Sequence, residues 1–163
     1  MKELLDKFSS YNIFNYLFPG VVFVILLSKT TQYDFILKDI VVGVFLYYFI
    51  GLTISRVGSL IIEPILKKFH FIILLEYSRF VKVSKEDSKL NMLSEVNNMY
   101  RTICSMLLIE SVFVIYEKIA QYCTLLQVID RYLLLLSLFA LFIFSYRKQT
   151  KYICKRIEAN ENP

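Results

Sequence analysis

Four polar or charged residues, Arg56, Ser59, Glu63 and Glu110, interrupt the apolar stretches of this chain. The first three stand three, four and seven residues apart, which sets them on one side of a helix. Upstream of them, the 16 residues from Ile40 to Ser55 hold no charge. Such a helix is apolar enough to enter a bilayer and carries its polar stripe toward one end. A stripe in a spanning helix faces other protein or water, because a lone charge at the bilayer centre costs at least about 2.5–3.5 kcal/mol. At 1.5 Å per residue, Arg56 lies about 10 Å from the Glu63 end, and Glu110 lies about 13 Å beyond Arg101 in a later apolar segment. Similar depth and opposite sign make Arg56 and Glu110 expected partners, either as an interhelix pair that fixes packing or as the lining of a pore or gate. The chemistry implied is ion passage or charge sensing. No Ser–His, metal-ligand or carboxylate-pair arrangement is evident, so neither an enzyme nor a bound cofactor or metal is expected.

A second group is cationic: Lys67, Lys68, Arg79, Lys82, Lys85, Lys89, Arg147, Lys148, Lys151, Lys155 and Arg156. One reading is the ordinary excess of basic residues on the cytoplasmic face of a membrane protein, facing anionic lipid headgroups. The other is an anionic ligand, a nucleotide or oligonucleotide, gathered by a basic surface repeated around an oligomer. The candidate contacts for it are Lys67, Lys68, Lys82, Lys85, Lys89, Arg147, Lys148 and Lys151. His70, alone on a mostly apolar helix, reads as a surface or packing residue. Gly51 and Gly58 would permit close helix approach, although the segment has no GxxxG spacing. Cys104, Cys123 and Cys154 are too far apart for metal-ligand spacing and read as apolar fillers or incidental thiols.

The composition defines the scaffold that must position these groups. Of 163 residues, 56% are hydrophobic, with mean hydropathy +0.53 and formal net charge +5. Soluble domains run about 45–50% apolar, and here the excess is gathered into blocks. Tyr11, Tyr33, Tyr116, Tyr132 and Tyr146 flank those blocks as interfacial aromatics do. The expected fold is all-α, a single polytopic membrane domain over residues 1–163, with four transmembrane spans at about 11–28, 40–63, 102–116 and 131–146. Residues 1–10 form an amphipathic lead-in with Leu4, Leu5 and Phe8 at helical spacing. Lys2 and Lys7 before the first apolar run suggest a signal peptide, but with no small-residue cleavage pattern the run reads as a retained anchor. Pro19 is expected to bend it. Residues 29–39 and 117–130 are short connections.

A helical hairpin over about 65–100 is expected to extend spans two and three. Pro64 suits a first helical turn or a kink. Leu66, Phe69, Ile73, Tyr77 and Phe80 then repeat at helical spacing up to Val81. Ser84 with Asp87 reads as a helix start, from which a helix runs from about Lys85 into span three. Lys and Arg number 2 before span one, 7 from Lys67 through Arg101 and 5 after Tyr146, 14 in all, against 2 in each of the opposite connections. That asymmetry puts both termini and the hairpin in the cytoplasm; the expected location is a bacterial inner membrane.

The opening YNIFNYLFPGVVFVILL resembles that of small bacterial membrane proteins of defence loci. With four spans, a cytoplasmic hairpin and a basic face, the architecture is similar to the membrane effector of the Hailong anti-phage system. The resemblance implies an oligomeric channel controlled by DNA oligomers that a partner nucleotidyltransferase makes. It rests on architecture and one short motif, and no site residue is carried over by it. A four-span chain this small hardly encloses a wide pore alone, so a channel requires a homo-oligomer, with a tetramer as the working expectation. The alternative is a non-conducting anchor or interaction subunit for a partner protein. A membrane enzyme ranks third.

Overall fold

A computed structural model describes residues 12–161, and every regular element among them is a helix. Helix α1 (Phe18–Thr30) follows a π-helical turn at Ile13–Leu17. Helix α2 (Ile40–Val57) passes through a second π-helical turn, Gly58–Ile62, into the short α3 (Glu63–Lys68). Helix α4 (Tyr77–Glu86) leads into α5 (Ser88–Ala120), and a tight turn joins α5 to α6 (Thr124–Glu161). Residues 1–11, which include the expected lead-in and Tyr11, lie outside the described residues.

The two π-helical turns have one cause. Proline lacks a backbone N–H, and its ring collides with the carbonyl four residues back. Each π turn ends two residues before a proline: Pro19 follows the first and Pro64 the second. In each, the last N–H reaches back five residues, Phe18 to Ile13 and Glu63 to Gly58. The widened turn absorbs the collision, and the helix continues. Pro19 therefore sits in the first turn of α1, and Pro64 in that of α3.

Acidic side chains start the helices on either side of the bundle. Asp39 accepts hydrogen bonds from the amides of Val41 (2.9 Å) and Val42 (3.2 Å), and Asp87 accepts one from Lys89 (2.9 Å). Both fill donors that a helix start leaves open. Ser84, expected to open the helix into span three, is inside α4 instead and donates to the Val81 carbonyl.

The expected amphipathic helix from Ile65 to Val81 is broken. His70 has a φ of 56°, in the left-handed region, and Phe71 donates to the Leu66 carbonyl at 2.9 Å while His70 donates to Lys67 at 3.1 Å. These bonds form a Schellman stop, with histidine where glycine is usual. Residues 69–76 are non-helical and turn the chain back to α4.

The core lies where α1, α2 and α5 meet: Phe23, Val24 and Leu27 pack on Ile54 and Met106, with Ile109 and Phe113 alongside. Phe23 and Phe113 meet edge to face at 5.9 Å. Gly20 and Gly51 set the α1–α2 spacing. A Cβ on Gly51 would stand 1.7 Å from the Tyr16 carbonyl oxygen, and one on Gly20 would stand 1.8 Å from that of Tyr47. Backbone thus lies on backbone, as small residues allow between membrane helices.

Among the described residues, three helices are long and apolar enough to cross a membrane: Ile13–Thr30, Ile40–Lys68 and Ile129–Glu161. The span expected at 102–116 is not among them. It is the middle of the 33-residue α5, where Glu110, Glu117 and Lys118 interrupt the apolar run. The span expected at 131–146 belongs to a 38-residue helix that continues through the basic segment to Glu161. Along its apolar part α6 is almost bare, Leu135, Leu136 and Phe139 being about two-thirds exposed. It meets α2 through the stacked Phe49–Phe142 pair at 5.8 Å and α4 through Tyr152 and Tyr77 at 5.0 Å.

Candidate functional site

The second π turn creates the site. In an α-helix the Ser59 carbonyl would accept from the Glu63 amide. Here that amide donates to Gly58, and the next position is Pro64, which has no N–H. The Ser59 carbonyl is left facing outward, and the Lys148 ammonium of α6 donates to it at 2.6 Å and to the Ser59 hydroxyl at 2.7 Å. Lys148 also stands 3.5 Å from Glu63 Oε1 and 5.7 Å from the centre of the Tyr152 ring. The other Glu63 oxygen accepts from Arg101 of α5 at 2.5 Å. Charge-assisted bonds of this kind are roughly twice as strong as neutral ones.

Gly58 makes the approach possible, since a Cβ there would lie 2.3 Å from the Ser105 hydroxyl oxygen and 3.2 Å from Arg101 Cγ. Just above, Thr102 donates to the Ser55 hydroxyl at 3.2 Å, and both residues are buried. Glu63 thus binds one cation from each of two other helices and ties α3, α5 and α6 together.

Below this node lies a cavity of about 820 Å³ between the 69–76 segment, α4, the start of α5 and the end of α6. Arg56, Lys67, Arg79, Arg101 and Lys155 line it, against the acidic Glu63 and Glu76. Tyr77, Phe80 and Tyr152 add ring surface, and Asn97, Asn98 and Gln149 add hydrogen-bonding groups. A smaller cavity of about 340 Å³, next to Tyr77, includes Lys82 and Lys155.

Of the expected intramembrane group, the structure brings Ser59 and Glu63 into the node, sets Arg56 on the cavity wall beside them and leaves Glu110 elsewhere. The Gly58 contact sets this stretch of α2 against Arg101–Ser105, five to nine residues before Glu110 along α5. Arg56 turns toward Ser145, Gln149 and Tyr152 of α6. Glu110 is buried at the opposite end of the bundle, where its Oε1 accepts from the Thr30 hydroxyl at 2.5 Å. The expected Arg56–Glu110 pair is therefore replaced by Arg101–Glu63 and Thr30–Glu110. Equal depth was reckoned from the ends of separate helices, and the register across the interface is set by Gly58.

The expected basic contacts divide as well. Lys67 lines the large cavity and Lys82 the small one. Lys148 is engaged within the protein, and Arg147 and Lys151 face outward beside it on an apolar groove. Lys68, Lys85 and Lys89 are exposed and line neither cavity. Arg101 and Tyr152 belong to the site but carried no distinct signal in the sequence. Arg101 read only as the polar edge of an apolar run.

At the Glu110 end, Glu117 accepts from the Gln32 amide at 2.8 Å and Tyr116 donates to the Leu126 carbonyl at 3.3 Å. The Tyr33 phenol, packed on Phe113, is held above its ordinary pKa by burial first and then by Tyr116, Asp130 and Glu117. Cys104, Cys123 and Cys154 are free thiols. Among the described residues, no three His, Cys, Asp or Glu side chains gather as metal ligands would.

Fold and site together define an all-helical protein with, among the described residues, three helices long and apolar enough to cross a membrane and a basic cavity at one end. Comparison of the chain with protein-family models, with curated proteins and with solved structures finds no match.

Proposed function

We propose that this protein is an oligomeric membrane effector, an ion channel or depolarising protein of bacterial anti-phage defence. An anionic nucleotide or DNA oligomer, the product of a partner nucleotidyltransferase, controls it at the basic end, which lies in the cytoplasm with both termini. The observation that carries this reading is the cavity of about 820 Å³, in which five cations face two carboxylates beside three aromatic rings. Phosphates seek such a charge excess, and bases stack on such rings. Arg101 and Glu63 belong both to the cavity wall and to the node that ties α3, α5 and α6, and Arg56 lines the same wall. A ligand drawn to those cations would act on the junction of three helices.

In this reading α5 supplies a fourth crossing at Thr102–Tyr116. Its packing supports that role: Met106, Ile109 and Phe113 lie in the core with α1 and α2, while Leu107, Leu108, Val112 and Ile115 on the other face are exposed. Thr102 and Ser105 are fully buried at the centre, so one copy has no open axis there and conduction falls between copies. A second reading has its own support. Ser59, Glu63, Arg101 and Lys148 bond to one another within one chain, as they would in a non-conducting anchor for a partner protein.

Retention of short single-stranded DNA by the purified protein tests the ligand. Binding should weaken steeply with salt, and the Arg79→Gln/Lys155→Gln variant should flatten the log–log slope by about 1.4, roughly 0.7 per lost phosphate contact. DNA that is not retained at low salt, or a slope unchanged in the variant, refutes the ligand reading. Planar-bilayer currents from the wild type separate channel from anchor.

A further inference from the structure

Beside the node, the second π turn and α6 border a groove of about 610 Å³ whose wall changes character along its length. On α6, Ser137, Ala140, Leu141 and Phe144 recur at three- and four-residue steps and give way, on the same face, to Arg147 and Lys151. Leu60 and Ile61 of the π turn form the facing wall. Ser137 and Ala140 are small, and they hollow the groove where longer side chains would fill it. The stripe from Ser137 to Lys151 is about 21 Å long at helical rise. No acidic residue lines it. Lys148 also lines the groove, but its ammonium is bonded to Ser59 and Glu63, whereas Arg147 and Lys151 have no carboxylate partner among the described residues.

We propose that this groove is a binding site for an anionic phospholipid. An acyl chain lies along Ala140, Leu141 and Phe144 against Ile61, and the phosphate rests on Arg147 and Lys151. The argument is complementarity at both ends of one surface. A hydrocarbon chain covers apolar side chains that water would otherwise wet, and a phosphate neutralises two cations that sit at its polar end. A helix from a second copy would cover the apolar half but would leave Arg147 and Lys151 without countercharge. The site depends on α6 crossing a membrane and not on channel activity or the nucleotide reading. It differs from a general attraction of basic residues to headgroups because it requires the groove as well as the charge.

Native mass spectrometry on the full chain tests it, using detergent-purified protein exposed to equal amounts of phosphatidylglycerol and phosphatidylcholine with matched acyl chains. The wild type should retain phosphatidylglycerol about tenfold or more over phosphatidylcholine, the effect of two basic residues near an anionic headgroup. Arg147→Gln/Lys151→Gln should abolish the preference, and both positions are exposed, so the fold should survive. Ala140→Phe should fill the hollow and reduce retention of phosphatidylglycerol with both cations present. Equal retention of the two lipids by the wild type overturns the proposal. So does a preference that both variants keep, or loss of oligomers in Ala140→Phe without loss of lipid, which would make the groove a contact between copies. Loss of preference in the charge variant alone, with Ala140→Phe behaving as wild type, also overturns it, because the headgroup would then bind without the groove.

Discussion

Helices α2/α3 and α5 carry one buried or nearly buried carboxylate at each end of their shared bundle, and the two are treated in opposite ways. Glu63 has a guanidinium at 2.5 Å and an ammonium at 3.5 Å, drawn from two different helices. Glu110 has one neutral hydroxyl, Thr30, at 2.5 Å, and its Oε2 is buried with no donor among the described residues. One end is a charge network that joins three helices beside a basic cavity. The other holds Glu110 by one neutral hydroxyl of α1, with no cation beside it among the described residues. Partner removal should therefore be costly and coupled at the Glu63 end, and modest and local at the Glu110 end.

The largest effect should come from what both ends share. The Gly20–Gly51 contact fixes the α1–α2 crossing, and all else is mounted on it. Gly51→Ala puts a methyl carbon 1.7 Å from the Tyr16 carbonyl oxygen, which is backbone and cannot swing aside. The helices must separate, at a cost of about 3 kcal/mol or more, the upper range for overpacking. Thermal unfolding in detergent, followed by size exclusion, measures it. A melting temperature within error of the wild type would mean that the crossing is looser than the close glycine contact requires.

Double-mutant cycles compare the two ends directly. Glu63→Gln leaves Arg101 and Lys148 without their countercharge and should cost about 2–3 kcal/mol. That is below the about 3–5 kcal/mol of fully buried pairs, because these side chains retain some exposure. The Glu63/Arg101 cycle should give a coupling of about 1–3 kcal/mol, and the Arg56/Glu110 cycle should give about 0.5 kcal/mol or less, as sites without shared partners do. Unfolding of the four single and two double Gln variants supplies both numbers. A larger coupling for Arg56/Glu110 would restore the pairing expected from depth alone and would dissolve the contrast between the ends.

That cycle also marks where the sequence was legible. Hydropathy blocks are written in single segments, so the apolar parts of α1, α2, α5 and α6 are legible, whereas the helix start expected at Ser84 falls inside α4. The stop at His70 could not be read, because the amphipathic spacing of Leu66, Phe69, Ile73 and Tyr77 continues through it. A histidine also gives no warning of a left-handed residue. The π turns leave hydropathy unchanged; only Pro19 and Pro64 mark them, and a proline alone signals equally a kink or a helix start. Register between helices is invisible in principle to a one-dimensional reading. Depth along each helix pairs Arg56 with Glu110, while the structure sets Glu63 against Arg101, each at the end of an expected span. The clue lay in Gly58, whose missing side chain admits Ser105 and Arg101 and so sets the height at which the helices meet.

The smallest effect belongs to the clasp at Glu110. Thr30→Val keeps the shape of the side chain and removes its donor, so Glu110 loses the hydroxyl that bonds its Oε1. The Leu26 carbonyl, 3.0 Å away, competes for the same single Thr30 proton, but that carbonyl lies within a helix and does not depend on it. The expected loss is about 1–2 kcal/mol, the usual cost of leaving one buried acceptor unsatisfied. Adding Glu110→Gln should recover part of it, because an amide is cheaper than a carboxylate to bury without a partner. The Glu63 network should not register either change: the Glu63/Arg101 coupling measured in the Thr30→Val background should match that in the wild type. Unfolding of the Thr30→Val, Glu110→Gln and double variants decides the first point, and the cycle in the variant background decides the second. A Thr30→Val variant that also weakens the Glu63/Arg101 coupling would show that α5 transmits strain between its ends, and the two carboxylates would then belong to one device.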